Sequence, residues 1–259
     1  MPRTAREKSD TGIYHVMMRG VNRQSIFNEK EDNLRFLQTL SYCRDLSDYE
    51  LYAYCLMGNH FHLLIKENKD TLGTIIKRIG SSYVYWYNMK YNRCGHLFQD
   101  RYKSETVEDD NYFLAVLRYI HQNPVKAGLV NYPEDYQWSS YRDYFSRSTL
   151  LGTDFALGLF GENKEEAIEQ FKSFHNVMEE NVFLQTNEKK KWNDSDALDL
   201  LKKIAGIMYI EDLSKKDNDF QVWLFQSLLK RDLSVRQISR ITGIGKWKIA
   251  KIASGEDHH

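Results

Sequence analysis

The chain has 259 residues, enough at about 150 residues per domain for one large domain or two smaller ones. Lys plus Arg and Asp plus Glu each number 36, so the zero net charge excludes a bulk polycation that holds nucleic acid by charge alone, and any such site must be local. With 42% hydrophobic residues, 14% aromatic residues and 3 prolines, the composition also excludes disordered, collagen-like and low-complexity classes.

No stretch reaches the roughly eighteen continuous apolar residues of a membrane span, and the start, Met1 to Lys8, has no apolar signal core. A cytoplasmic protein without a membrane partner is expected. Cys43, Cys55 and Cys94 form no C-x-x-C pair, so neither a disulfide framework nor a thiolate zinc site is indicated. Charge is uneven along the chain. Residues 1–147 balance at +2, 148–214 at −6 and 215–259 at +4, which divides the chain into an N-terminal domain, an acidic helical connector and a basic C-terminal module.

Ile13 to Arg19 reads as a strand closed by Gly20, and Glu31 to Leu46 repeats Leu34, Leu37 and Leu40 at helical spacing. Leu51 to Met57 and Phe61 to Ile65 are β-rich runs joined through Gly58-Asn59-His60, a tight hairpin. Thr71 to Tyr91 is a long helical pattern, and Leu97 to Val107 a fourth strand. Asp109-Asp110-Asn111 starts a further helix carrying Phe113, Leu114, Leu117 and Ile120, which Pro124 is expected to end. The order β-α-β-β-α-β-α predicts an α+β fold: a ferredoxin-like, four-stranded antiparallel sheet with two helices on one face and an extra helix. The rest of the chain reads as all-α.

His60 and His62 stand at i and i+2 on a strand, so their side chains share one face while Phe61 points to the other. Two imidazoles on a rigid strand suit a divalent metal, but a plain hydrogen-bonding role in the sheet is an equal reading of the H-x-H pair alone. The segment Leu117-Arg118-Tyr119-Ile120-His121-Gln122-Asn123-Pro124 makes the pattern specific. Together with Tyr14-His15-Val16, Arg19-Gly20 and Trp138-Ser139-Ser140-Tyr141, it resembles the single-tyrosine HUH transposases, in the branch of the REP-associated tyrosine transposases, over residues 13 to about 145.

That resemblance implies an HUH nuclease fold, a divalent ion (Mg2+ or Mn2+) held by His60, His62 and Asn123, and Tyr119 as the nucleophile that attacks single-stranded or hairpin DNA through a 5′-phosphotyrosine. Relatives act as monomers or homodimers. Many have Pro-Asn-His where this chain has Gly58-Asn59-His60, a change that keeps the ligand spacing. His15 and His121 read as structural. Arg19, Arg23 and Arg118 are candidate phosphate contacts, and Tyr83, Tyr85 and Trp86 candidate base platforms that equally suit packing. A non-catalytic DNA-binding regulator derived from the fold is the alternative.

Phe160, Ala167, Phe171 and Phe174 at near-helical spacing suggest a helical connector, followed by a polar linker from Gln185 to Asp196. In the basic tail, Phe220 to Leu229 reads as a supporting helix. Ser234-Val235-Arg236-Gln237 has the form of a capping box, and Gly243-Ile244-Gly245 is a turn before a last helix, Lys246 to Ile252. The segment resembles bacterial helix-turn-helix domains, with Lys246, Lys248 and Lys251 facing duplex DNA. A basic helical bundle that packs on the rest of the chain or on a partner is the rival reading.

Overall fold

The computed structural model describes residues 7–146, 149–178, 183–184, 194–229 and 233–254. The chain divides into two compact units, Met1–Leu184 and Gln185–His259.

The first unit runs β1 (Ile13–Arg19), α1 (Lys30–Ser47), β2 (Glu50–Met57), β3 (His60–Lys66), α2 (Leu72–Lys90), β4 (Lys103–Thr106) and α3 (Asp110–Lys126). The strands lie in the order β2-β3-β1-β4 with every neighbouring pair antiparallel, the ferredoxin-like arrangement. The hairpin turn is tighter than the sequence pattern suggested: Met57 pairs directly with His60, so only Gly58 and Asn59 form the loop. On one face, Phe61 of β3 packs against Phe36 of α1 at 4.6 Å, and Phe36 against Tyr83 of α2 at 5.0 Å. The buried stripe of α1 is Phe36, Leu40 and Cys43, whereas Leu34 is exposed, because this face must meet α2 as well as the sheet. Helix α3 covers the opposite face, over β2 and β3.

Two boundaries differ from expectation. Strand β4 is short: Phe98 bridges Gly20 and the Gln99 N–H donates to the Arg19 carbonyl at 2.9 Å, then pairing lapses until Lys103. Helix α3 starts where Asp109 accepts the Tyr112 N–H at 2.8 Å, but it continues through Pro124 to Lys126. A proline this near a helix end removes a single intrahelical bond, and the final turn closes through the Ala127 N–H to the Asn123 carbonyl at 2.9 Å.

The segment after residue 148, read from the sequence as an acidic helical connector, divides between the two units. Helices α4 (Thr153–Gly158) and α5 (Lys164–Asn176) belong to the first unit. Phe171 is fully buried, stacked on Tyr144 at 4.5 Å, and His175 lies against it. A chain of hydrogen bonds ties α5 to α3. His175 Nδ1 donates to the Phe171 carbonyl at 2.8 Å, so its Nε2 accepts from His121 Nδ1 at 2.9 Å, and His121 Nε2 accepts from the Ser140 hydroxyl at 2.8 Å. His121 is therefore structural and buried. Ser140 belongs to the Trp138–Tyr141 segment, which adds to β2 through the Leu56 N–H on the Trp138 carbonyl at 2.9 Å.

In the second unit, α6 (Asp194–Ala205), α7 (Asn218–Leu229), α8 (Val235–Thr242) and α9 (Lys246–Ser254) enclose Leu201, Leu224, Phe225, Leu228, Leu233, Ile238 and Ile249. Ser234 caps α8 by accepting the Gln237 N–H at 3.1 Å, but the Gln237 amide donates to Asp194 at 3.2 Å instead of returning to the cap. Gly243, at φ 73°, closes α8 in the left-handed conformation before α9 begins. Of the expected linker, residues 185–193 lie outside the described residues, and Asp194 already starts α6.

Burial brings His175 down to about 3 and holds His121 well below its ordinary value, with the neighbouring His175 adding to the effect. Both must stay neutral in the folded state, while the unfolded chain takes up protons near pH 6.5. Stability supplied by this network is complete above pH 6.5 and falls as pH drops below it, by up to about 1.4 kcal/mol per pH unit for each histidine. The urea midpoint of the protein is expected to be lower at pH 5 than at pH 7.5; equal midpoints would mean that the pair is hydrated and titrates normally.

Candidate active site

The antiparallel register sets the site. His60 stands opposite Arg19, and His62 opposite Met17; on the far side of β1, His15 stands opposite Glu105 of β4. Because side chains alternate along a strand, His15, Arg19, His60, His62 and Glu105 share the face that α3 covers. Tyr119 reaches this group from α3. Its ring lies 5.7 Å from that of His62 and 5.8 Å from that of His15, and the His60 and His62 rings are 5.2 Å apart. Phe61 points to the opposite face, as the alternation requires.

Hydrogen bonds define the imidazoles further. Asn59 Nδ2 donates to the Arg23 carbonyl at 3.3 Å, which turns Asn59 Oδ1 toward His60 Nδ1 at 2.7 Å. An amide oxygen only accepts, so His60 carries its proton on Nδ1 and a lone pair on Nε2. His62 also uses Nδ1, on His15 Nε2 at 2.9 Å. Burial holds His60 down to about 4, with the Arg19 guanidinium adding to it, and pushes His62 well below the ordinary histidine range. Both are neutral near pH 7, the state in which an imidazole can ligate a metal.

Asn123 is buried one helical turn beyond Tyr119, and its Nδ2 donates to the Tyr119 carbonyl at 2.9 Å, leaving the side-chain oxygen as its ligand-type atom. Two imidazole nitrogens and one amide oxygen fit a divalent cation with positions open for water or substrate. Among the described residues, no cluster of three His, Cys, Asp or Glu side chains is arranged to hold a metal.

Tyr119 is buried, with Phe183 packed on its ring at 5.1 Å and the Lys126 ammonium 4.9 Å from the ring centroid. His15, Glu105, Asn59 and Lys126 complete the surroundings of the candidate residues. Only His15 stood out in sequence; strand parity could have selected Glu105 once β4 was placed against β1.

The other candidates are dispersed. Arg23 is exposed beside the hairpin, its carbonyl taken by Asn59. Arg118 lies over the Phe174 ring at 4.1 Å and donates to the Phe174 carbonyl at 3.3 Å, so its guanidinium faces α5 where phosphate contact was expected. Tyr83 is buried and its hydroxyl donates to the Ile26 carbonyl, a packing role; Tyr85 is exposed, and Trp86 lies under Arg35 and Lys90. In the second unit Lys246 and Lys248 are exposed, Lys248 donating to Gln221 at 3.1 Å, and Lys251 sits 5.9 Å from the Trp247 ring.

His15, Arg19, His60, His62, Glu105, Tyr119 and Asn123 all fall in a stretch with a known likeness. Residues 8–123 match the family described as IS200-like transposases. A Haemophilus influenzae protein named as a REP-associated tyrosine transposase is 29% identical over 105 residues, 36% of this chain and 59% of that protein. The chain thus spans about three-fifths of the length of that relative. Among solved structures, a REP-associated tyrosine transposase bound to a REP hairpin superposes with a TM-score of 0.49 at 18% identity, covering 57% of this chain and 87% of that one. A transposase structure from Deinococcus radiodurans gives a TM-score of 0.34 at 16% identity, over 47% and 97% of the two chains.

Neutrality of the His60 ring is open to direct measurement. In the metal-free protein its proton resonances are expected to titrate near pH 4 by NMR, against about 6.5 for a solvated histidine. Titration near 6.5 would show that the ring is neither desolvated nor close to the Arg19 charge.

Proposed function

We propose that the protein is a transposase-type enzyme that cleaves and rejoins single-stranded, hairpin-flanked DNA through a covalent tyrosine intermediate. The observation that carries this reading is the convergence of His60, His62 and Tyr119 on one face of the sheet, inside the stretch that matches the IS200-like transposases. The name of the Haemophilus influenzae relative supports the REP-associated branch and a DNA partner.

His60 and His62, through Nε2, and Asn123, through its side-chain oxygen, would hold Mg2+ or Mn2+. When bound, such an ion offsets phosphodiester charge and orients the phosphorus for in-line attack. Tyr119 Oη forms a bond to phosphorus as the bond from phosphorus to the 3′ oxygen breaks; the phenol gives up its proton and the departing oxygen takes one up. The products are a 5′-phosphotyrosine and a free 3′-hydroxyl, and attack by a 3′-hydroxyl on that ester reverses the step on a new strand. One ester replaces another, so no nucleotide triphosphate is required. The Lys126 ammonium beside the Tyr119 ring favours the negative charge that develops on the phenolic oxygen. Arg19, opposite His60, and Arg23, beside the hairpin, are suited to hold the strand by its phosphates.

Tyr119→Phe is expected to reduce formation of a covalent adduct with hairpin oligonucleotides in Mn2+ by on the order of 10⁴-fold or more on denaturing gels, with hairpin binding nearly intact. Unchanged cleavage would remove Tyr119 from the reaction. Absence of any adduct from the unaltered protein across a broad hairpin panel would favour the non-catalytic regulator.

The C-terminal helices are proposed to bind duplex or hairpin-stem DNA, with α9 as the reading helix. Replacing Lys246, Lys248 and Lys251 together by Ala should flatten the dependence of log affinity on log salt by up to about 0.9 for each phosphate that is no longer neutralised. An identical salt slope would assign this unit another task.

A further inference from the structure

His15 and Glu105 have no part in the reaction as described, yet they form a continuous line into His62. His15 is fully buried and its Nε2 meets His62 Nδ1 at 2.9 Å. Its other nitrogen, Nδ1, lies 3.7 Å from Glu105 Oε2 and has no hydrogen-bond partner among the described residues. Glu105 is itself held in place, accepting from the Tyr112 hydroxyl at 3.2 Å and from the Leu184 N–H at 3.1 Å. The register of β1 on β4 places Glu105 directly across from His15.

Only one of two tautomeric arrangements suits this line. With a proton on His15 Nδ1, an N–H dipole faces the carboxylate; with a lone pair there, two electron-rich groups face each other across a short gap. The first arrangement is electrostatically favoured. His15 Nε2 is then an acceptor, His62 Nδ1 must be the donor, and the lone pair of His62 falls on Nε2. In the reverse arrangement His62 Nε2 carries a proton and cannot ligate a cation.

We propose that Glu105 and His15 are positioning residues: a carboxylate–imidazole relay that locks His62 in its Nδ1–H tautomer and keeps Nε2 available to a divalent cation. This rests on the metal reading above and adds to it the outer partners that orient the ligand. Outer partners of this kind, when removed, typically cost about 10–100-fold in metal affinity. His60 reaches the same tautomer by a separate route, through Asn59, and so provides a control within one molecule.

The test is the nitrogen-15 NMR spectrum of histidine-labelled, metal-free, full-length protein, together with Mn2+ binding followed by electron paramagnetic resonance. In the unaltered protein both His60 and His62 should show a protonated Nδ1 and a bare Nε2. Glu105→Lys turns the terminal acceptor into a donor. It should invert the His62 pattern, leave the His60 pattern unchanged and weaken Mn2+ binding about 10–100-fold, while Glu105→Asp should keep the original tautomer and most of the affinity. A protonated His62 Nε2 in the unaltered protein would overturn the relay whatever the variants do. So would Glu105→Lys with unchanged tautomer and unchanged Mn2+ affinity in a protein whose binding is lost in His60→Ala, and in that case the metal site would stand. No Mn2+ binding by the unaltered protein would overturn the metal site and with it the purpose of the relay.

Discussion

The antiparallel register of β1 on β3 is the constraint on which the rest of this site depends. It places Arg19 across from His60 and brings His15 diagonally onto His62, and the pairing of β1 with β4 extends the same face to Glu105. A slip of one residue would send each of these side chains to the opposite face, among Phe36, Phe61 and Tyr83. Helix α3 contributes Tyr119 and Asn123 only because it covers the histidine face, while α1 and α2 take up the other.

Buried imidazoles are destabilising unless every nitrogen has a role, and here two groups meet that demand differently. His121 and His175 use both ring nitrogens in hydrogen bonds with protein groups, joining α5 to α3 and to Ser140. Their polar atoms serve docking. His60 and His62 each make one described hydrogen bond, through Nδ1, so that Nε2 is left for something else. That difference separates the structural pair from the ligand pair more sharply than lowered basicity, which they share.

The two units have separate hydrophobic cores. The likeness to the IS200-like transposases ends at residue 123, on the last residue of the candidate site, and the first unit continues to Leu184 because Phe171 and His175 seal α5 against α3 and Tyr144. The second unit builds its own core around Leu224, Phe225, Leu228 and Ile238, and its last helix carries Lys246, Lys248 and Lys251. Among the described residues no helix is long and apolar enough to cross a membrane.

Period-two and period-3.6 patterns in the sequence determined the strands, the helices and their order, since hydrophobic spacing follows directly from backbone geometry. The His-x-His pair was legible for the same reason, as a local spacing that fixes a shared face, whereas Tyr119 and Asn123 were singled out by the resemblance of their segment to the single-tyrosine transposases. What local spacing could not decide was everything that depends on a partner distant in sequence. Pro124 was tolerated because it falls in the last turn of α3, Arg118 turned to Phe174 because α5 docks there, and the acidic stretch after residue 148 split between two cores. His15 read as structural and Glu105 carried no signal of its own. Only the pairing of three strands put them in line behind His62, because cross-strand neighbours are set by register and register is a property of the assembled sheet.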